Sequence, residues 1–371
     1  MKIGISCYPS VGGSGFLATR LGLELAKKGH EIHFITYDVP YLLREERHPN
    51  LSINLIDKVE YPLFKAICSP FTLLEASKMT EVVKEHKLDI LHAHYIIPHA
   101  MAAFIAKELT GVKTISTAHG SDVHTVGMEK GFRSTVHLAL RKSDYITSVS
   151  NFLANSLREK FKVRCPIETV YNFVDTEIFR PRKIKDEFYH DGVENVVVSI
   201  SNFRKIKRIP LLIRAFAKVL KELPESKLIL VGDGPERTQV LQLCRKLGIC
   251  QQVSLEGFRT DIPRVLNCVD LLAAPSKIES FCLVLIEAMA CEVPVVSTRA
   301  GGIPEVVEHG KQGLLFEDED VDQLAQNMIQ ILTDKQQAKK MGISGRKRVL
   351  QNFSIGKIVP QYENCYKAIL S

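Results

Sequence analysis

The stretch 269–308, VDLLAAPSKIESFCLVLIEAMACEVPVVSTRAGGIPEVVE, constrains the fold more than any other part of the chain. It opens with an apolar run over residues 269–274, the length of a strand buried on both faces, and breaks at the polar residues 275–280. A helix is expected from about residue 281 to 291, and a second apolar strand over 293–297. A strand–loop–helix–strand unit of this kind builds a parallel sheet. Ser280 stands where a helix N-cap is expected, so the backbone N–H groups of Phe281, Cys282 and Leu283, with Val284 beside them, should point out of the helix start. Such donors, together with the helix dipole, stabilise an anion, above all a phosphate. Glu279 precedes that position and Glu287 lies two turns into the helix, with seven residues between them. They are spaced to grip the hydroxyls on either side of a diphosphate. Two Glu at this spacing are common as solvated charges, but the residues between them are apolar and leave no polar stripe. A Gly-rich turn, residues 300–305, follows the next strand.

The same alternation of apolar strand and amphipathic helix runs along the chain. Strands are predicted at 2–8, 31–36, 89–94, 113–117, 145–149 and 167–171, and again at 196–200, 227–231 and 253–255. Helices are predicted at 16–28, 72–86, 98–109, 133–142, 210–221, 236–247, 262–267 and 320–333, with a helical tail from about 335. Residues 40–70 show no period. Residues 176–192 carry charges, Pro181 and no period, and read as a connection after which the pattern restarts. A chain of 371 residues is also too long for one typical core. The expected organisation is two α/β, Rossmann-like domains, 1–175 and 176–353, with a last helix, 354–371, returning to the first domain.

Composition narrows the partners. With 45% hydrophobic and 25% charged residues, the chain reads as an ordinary globular protein. The net charge of +7 is spread along the sequence, which argues for a basic surface or a cleft for anions and against nucleic acid. No apolar run reaches membrane-span length, and MKIGISCYPS lacks the form of a signal peptide, so a cytoplasmic location without an integral membrane segment is expected. The nine cysteines, at 7, 68, 165, 244, 250, 268, 282, 291 and 365, include no C-x-x-C pair. Reduced thiols fit that spacing better than a zinc site or a disulfide framework.

Several loops after strands carry candidate site residues. The loop at 9–15, PSVGGSG, lacks the G-x-G-x-x-G dinucleotide fingerprint. Gly12 and Gly13 there permit either close approach of backbone to a ligand or a tight turn, and Ser14 offers a hydroxyl beside the helix start. His92, His94 and His99 cluster, with 92 and 94 on one face of a strand, but no acid or Cys nearby completes a metal-ligand set, so no metal is expected. Tyr95 follows that strand, at the end where open α/β sheets bind ligands. Thr117-Ala118-His119-Gly120-Ser121-Asp122 places a His and an Asp on a Gly turn, and Asn151 follows the strand after it. In the second half, the basic loop Ser201-Asn202-Phe203-Arg204-Lys205-Ile206-Lys207-Arg208 follows a strand, as does Gly232-Asp233-Gly234-Pro235-Glu236.

ESFCLVLIEAMA followed by PVVSTRAGGIPEVV resembles the E-x7-E signature of the retaining GT-B glycosyltransferases, glycosyltransferase family four. The resemblance implies a GT-B fold: two facing Rossmann-like domains with the site in the cleft between them. It implies that Glu279 contacts the donor sugar and Glu287 the nucleotide ribose, and that Arg204 and Lys207 hold the diphosphate. It further implies donor contacts from Gly12, Gly13, Ser201, Asn202, Gly232, Gly234, Arg259 and residues 280–284. His119, in a stretch similar to the family's H-G-x-D motif, would position the donor sugar. Two departures stand out: Cys282 where the family usually has Gly, and Asn202 where many relatives have Arg. The leaving phosphate itself would accept the acceptor's proton, and no metal or cofactor is implied.

The stretches LDILHAHYIIPHA, STAHGSD, VYNFVD and SNFRKIKR resemble one subgroup, which transfers N-acetylglucosamine from UDP-GlcNAc to L-malate at the start of bacillithiol synthesis. The implied acceptor residues are Ser14, Tyr95, Thr117, His119 and Asn151. Expected partners are those two small molecules, and a homodimer is the candidate assembly. Competing readings are a family-four transferase with an inositol-phosphate, lipid-linked or polysaccharide acceptor, an epimerase-like protein, and a dinucleotide-binding module.

Overall fold

The computed structural model describes residues 1–57, 70–163, 165–183 and 192–371. Cys68 and residues 184–191 of the expected connection lie outside the described residues. The chain forms two compact units, Met1–Asn172 with Ile358–Ser371, and Phe173–Lys357.

The first unit holds seven strands: β1 (Lys2–Ser6), β2 (Glu31–Thr36), β3 (Leu51–Leu55), β4 (Ile90–His94), β5 (Lys113–Ala118), β6 (Tyr145–Ser148) and β7 (Ile167–Thr169). All pair in parallel, in the order β3-β2-β1-β4-β5-β6-β7. The order reverses direction between β1 and β4. At such a switch point the loops leaving two neighbouring strands diverge to opposite faces and open a crevice.

The second unit repeats the plan with β8 (Asn195–Ile200), β9 (Ser226–Val231), β10 (Val253–Gly257), β11 (Leu271–Ala274), β12 (Val295–Thr298) and β13 (Gly313–Phe316). The order is β10-β9-β8-β11-β12-β13, again all parallel, with its switch between β8 and β11. The central strands, β8 and β11 among them, read as apolar runs because helices cover both faces. The helix Ile209–Glu222 shows how: Ile209, Leu212, Ile213, Phe216 and Val219 recur at helical spacing, and all are buried. Burying each contributes about 1.5–3 kcal/mol before entropy is counted.

Some boundaries differ from expectation. Strand β3 lies within 40–70, where no period was visible; it is a five-residue edge strand, and its side chains are mostly half-buried. The helix expected from residue 16 begins at Gly13. The helix expected from Pro98 begins at Met101, after a wide turn over Ile96–Ala100. A helix, Asn151–Phe161, capped by the Ser150 hydroxyl on the Leu153 amide, occupies a stretch left unassigned. The most consequential correction is at the central segment. The helix there is Leu283–Ala290, and Ser280 is not its cap; the cap position is Cys282, held in the left-handed region at φ 72°. That backbone conformation favours glycine, which gives Gly a conformational reason to stand at this position.

Candidate active site

Two loops of the second unit meet because β8 and β11 are neighbours in the sheet. The loop after β8 carries Lys207, and the loop after β11 carries Glu279. Lys207 Nζ donates to Glu279 Oε1 at 2.5 Å. Burial works to lower the Lys207 pKa, but the carboxylate holds it above the usual lysine range. A cavity opens here, lined by Ser201, Lys207, Ser276, Glu279, Cys282 and Val284 among others. The Gly-rich turn after β12 fixes the Glu279 backbone: Gly302 N donates to Glu279 O at 2.8 Å, and a Cβ on Gly301 would sit 2.1 Å from that oxygen.

The amides of Leu283 and Val284 open the helix beside the cavity and have no intrahelical acceptor. Phe281 does not face a ligand with its ring, which is buried edge-on against Phe353 at 5.5 Å. Ser280 is buried as well. Glu287 is half-buried, and burial pushes its carboxyl up to about 7. Burial likewise raises the Cys282 thiol, with the Glu279 charge adding to it.

The remaining predicted residues of this unit divide. Gly232 and Gly234 press on the basic loop: a Cβ at Gly232 would sit 1.9 Å from Ser201 O, and one at Gly234 2.7 Å from Phe203 N. They therefore shape the loop that carries Lys207. The Ser201 hydroxyl is buried without a hydrogen-bond partner among the described residues. Asn202 and Arg204 are exposed. Arg208, at the end of the loop, is paired with Asp318 and Glu319. Arg259 pairs with Asp261 at 2.7 Å and Glu256 at 3.1 Å.

In the first unit the predicted residues gather around the β1/β4 switch point. A Cβ on Gly12 or Gly13 would meet no atom within 4 Å, while one on Gly15 would sit 1.9 Å from Tyr8 O, so Gly15 is the sterically obligatory glycine of this loop. Ser14 lies half-buried in the helix's first turn. The H-G-x-D turn is organised by its aspartate. Asp122 accepts from the amides of Gly120 at 2.6 Å, Ile96 at 3.1 Å and His119 at 3.2 Å. Burial lifts its pKa against the pull of those donors. This ties the β4 and β5 loops together and sets His119 at their junction. The Tyr95 hydroxyl lies 2.8 Å from Ser121 Oγ. His119 Nε2 lies 3.1 Å from His94 Nδ1.

Thr117 and Asn151 stand in different surroundings. Thr117 is fully buried, and its Oγ1 lies 2.7 Å from His92 Nε2 and 2.6 Å from Thr147 Oγ1. Parity explains the position: on β5, Thr117 faces the layer that holds His92 and the end of the last helix. Asn151 donates to the Tyr171 hydroxyl and accepts from Thr169, both at 2.9 Å.

An acid from a distant helix stands beside the histidine cluster. Glu75, from the helix Phe71–His86, sits 2.6 Å from His99 Nδ1 and 2.5 Å from Ser6 Oγ, with all three buried. Nothing in its sequence neighbourhood marks it. One carboxylate and one ring still fall short of a metal-ligand set. Among the described residues, the group with metal-ligand proximity is Glu31, His33 and His86. The His33 and His86 rings there lie nearly stacked, 4.2 Å apart, and both His33 nitrogens have protein partners, Glu31 and Ser52.

The comparisons with known proteins agree with this plan. Residues 11–178 match the family model "Glycosyltransferase Family 4", and residues 182–348 match "Glycosyl transferases group 1". The chain is 42% identical to N-acetyl-alpha-D-glucosaminyl L-malate synthase of Bacillus anthracis, covering 100% of this chain and 97% of that protein. It is 28% identical to a GDP-mannose-dependent alpha-(1-6)-phosphatidylinositol monomannoside mannosyltransferase of Mycolicibacterium smegmatis, over 78% of this chain and 80% of that one. Among solved structures, Anabaena HepE in complex with UDP and glucose superposes with a TM-score of 0.83 at 22% identity, covering 99% of this chain and 100% of that one. A glycosyltransferase from Rickettsia africae also superposes at 0.83 and 22%, covering 100% and 98%. With two parallel-sheet units of this topology and full-length similarity to such a relative, the chain belongs to glycosyltransferase family four and has the GT-B fold.

Proposed function

We propose that the chain transfers N-acetylglucosamine from UDP-GlcNAc to the hydroxyl of L-malate, with retention at the anomeric carbon, as the opening step of bacillithiol synthesis. The observation that carries the acceptor is the 42% identity, over the full chain, to a protein named as an N-acetyl-alpha-D-glucosaminyl L-malate synthase. The phosphatidylinositol mannosyltransferase relatives are 28% identical or less, and a D-inositol 3-phosphate glycosyltransferase of Mycobacterium marinum is 31% identical over 64% of this chain; both the lower identity and the smaller share favour malate over an inositol-based acceptor.

In this reading the diphosphate sits against the amides of Leu283 and Val284, with Lys207 and Arg204 meeting its charge. Glu279 takes a hydroxyl of the donor sugar, and Glu287 one of the ribose. His119 orients the sugar. The malate hydroxyl attacks the anomeric carbon as the bond to the diphosphate oxygen breaks, and the malate proton passes to that departing oxygen. UDP leaves with the electron pair. Lys207 and Arg204 supply the positive charge the leaving group needs, and we propose that neither metal nor cofactor takes part. Ser14 and Tyr95 are the acceptor-side donors, with Asn151 at the rim. A cytoplasmic setting fits the eight described cysteines, all of them free thiols. Two copies forming a homodimer are part of the same proposal.

The test is UDP release by the purified full chain, with UDP-GlcNAc and a panel of acceptors. L-malate should support release, and lactate, which leaves one carboxylate's donors unpaired, should support little. Release with inositol phosphate and none with malate would overturn the acceptor and leave the family intact. Proton NMR of the product reads the anomeric configuration.

A further inference from the structure

We infer that His94 is a positioning residue that holds His119 as its Nδ1–H tautomer, so that His119 meets the donor substrate as a hydrogen-bond donor. His94 is the last residue of β4 and is 2% exposed. Its Nδ1 lies 3.1 Å from His119 Nε2, and its own Nε2 is buried with no partner among the described residues. Between two neutral rings, one nitrogen of that 3.1 Å contact must donate and the other accept.

The burial decides which. If His94 carried its proton on Nε2, a buried N–H would have no acceptor, and orphaned buried N–H groups are the rarer defect in folded proteins. With the proton on Nδ1, His94 donates to His119 Nε2 and leaves only a bare lone pair enclosed. His119 must then carry its single proton on Nδ1, which has no protein partner among the described residues. Neither ring escapes the choice by becoming doubly protonated. Burial pushes His119 down to about 3, with the charge of His99 adding to it, and holds His94 well below the ordinary histidine range.

The neighbours leave no other arrangement. The His92 ring lies tilted over His94 with centroids 4.0 Å apart, but its two nitrogens are occupied by the Tyr366 hydroxyl at 2.8 Å and Thr117 Oγ1 at 2.7 Å. His99 Nδ1 is held by Glu75 and Ser6. The inference rests on the proposed function only in taking the donor sugar as the group that His119 meets.

The direct test is a long-range 1H–15N correlation spectrum of the full chain labelled with 15N-histidine, recorded without substrate, with His119 assigned through His119→Asn. Wild type should show His119 protonated at Nδ1; protonation at Nε2 overturns the inference. Two variants test the consequence. In His94→Asn the amide N–H stands near the place of Nδ1–H, so the tautomer and most of the turnover should survive. In His94→Leu the tautomer should become mixed, and kcat/KM should fall roughly tenfold, the factor carried by one hydrogen bond, with UDP affinity kept. A folded Leu variant with unchanged turnover, or an Asn variant as impaired as Leu, would also overturn it. The spectrum needs no acceptor, so failure of the malate assay counts against the acceptor alone.

Discussion

Lys207 Nζ and Glu279 Oε1 lie 2.5 Å apart although the residues are 72 positions apart in sequence. Their meeting is a property of strand order: β8 and β11 are neighbours, with Val198 beside Leu272, and both residues stand in the loops beyond the carboxyl ends of these strands. Each neutralises the other. A diphosphate would take over the lysine, and a sugar hydroxyl would take over the carboxylate.

Lys207 should therefore act mainly on the chemical step. Charge on the departing diphosphate grows in the transition state, so the ammonium is worth more there than in the ground state. Lys207→Ala should lower kcat by roughly a hundredfold and raise KM for the donor by much less. Steady-state kinetics separate the two. A rise in KM with kcat unchanged would reduce the loop to a binding role.

Nucleotide affinity should depend on pH if Glu287 takes a ribose hydroxyl as proposed. Its folded-state pKa is raised to about 7 by burial, above the ordinary Glu value, so its contribution to stability is present at low pH and is lost as pH rises through about 7. A ribose hydroxyl donates best to the ionised carboxylate. Between pH 6 and pH 8 UDP affinity should therefore rise by roughly tenfold, the factor set by deprotonating a group of that pKa. Glu287→Gln should remove this rise, leaving only the titration of the phosphate itself, and should unfold less readily than wild type at pH 8. Calorimetric titrations across that range give the answer; a wild-type and a Gln curve that run parallel would remove Glu287 from the ribose.

What the sequence shows here follows from the range of the interactions. The parallel α/β plan is legible because the central strands carry their own apolar runs and most helices their own period. Glu279, Glu287, Lys207 and His119 are legible because a short motif carries them. Three things are not. Edge strand β3 is half-solvated and lacks a continuous apolar run. Glu75 is an ordinary helix residue until the fold places it under His99, since no local signal marks a contact made 24 positions away. The packing role of Gly232 and Gly234 is the third: their missing Cβ atoms make room for the loop of Ser201 and Phe203, a contact across the sheet that no local pattern marks.

Cys282 tests the reading of the helix start. Its φ of 72° strains any L-residue, by about 1–2 kcal/mol, and a β-branched one more. Cys282→Gly gains that strain energy and loses the burial of a small thiol, so its stability should stay within about 1 kcal/mol of wild type. Cys282→Val should lose more than about 2 kcal/mol. Urea unfolding measures both. A Val variant as stable as the Gly variant would show that backbone conformation does not govern this position.

Thr117 is the most enclosed of the expected acceptor residues. Its hydroxyl is enclosed by His92 and Thr147, and the Tyr362 ring lies 5.6 Å from that of His92. Tyr366 closes the other side of His92. Tyr362 and Tyr366 lie on the last helix, so Thr117 fastens that helix to the sheet of the first unit. Val has the same shape without the oxygen. Thr117→Val would leave His92 Nε2 and Thr147 with one partner fewer in a buried place, a loss of about 1–3 kcal/mol. For a unit of this size the melting temperature should fall by about 2–4 °C per kcal/mol. KM for the acceptor should change less than about threefold, since the enclosed hydroxyl cannot also serve a carboxylate. Differential scanning calorimetry and acceptor kinetics on the same preparation decide the matter. A Val variant with an unshifted transition and a tenfold higher acceptor KM would return Thr117 to the acceptor pocket, and would mean that the His92 network rearranges when substrate binds.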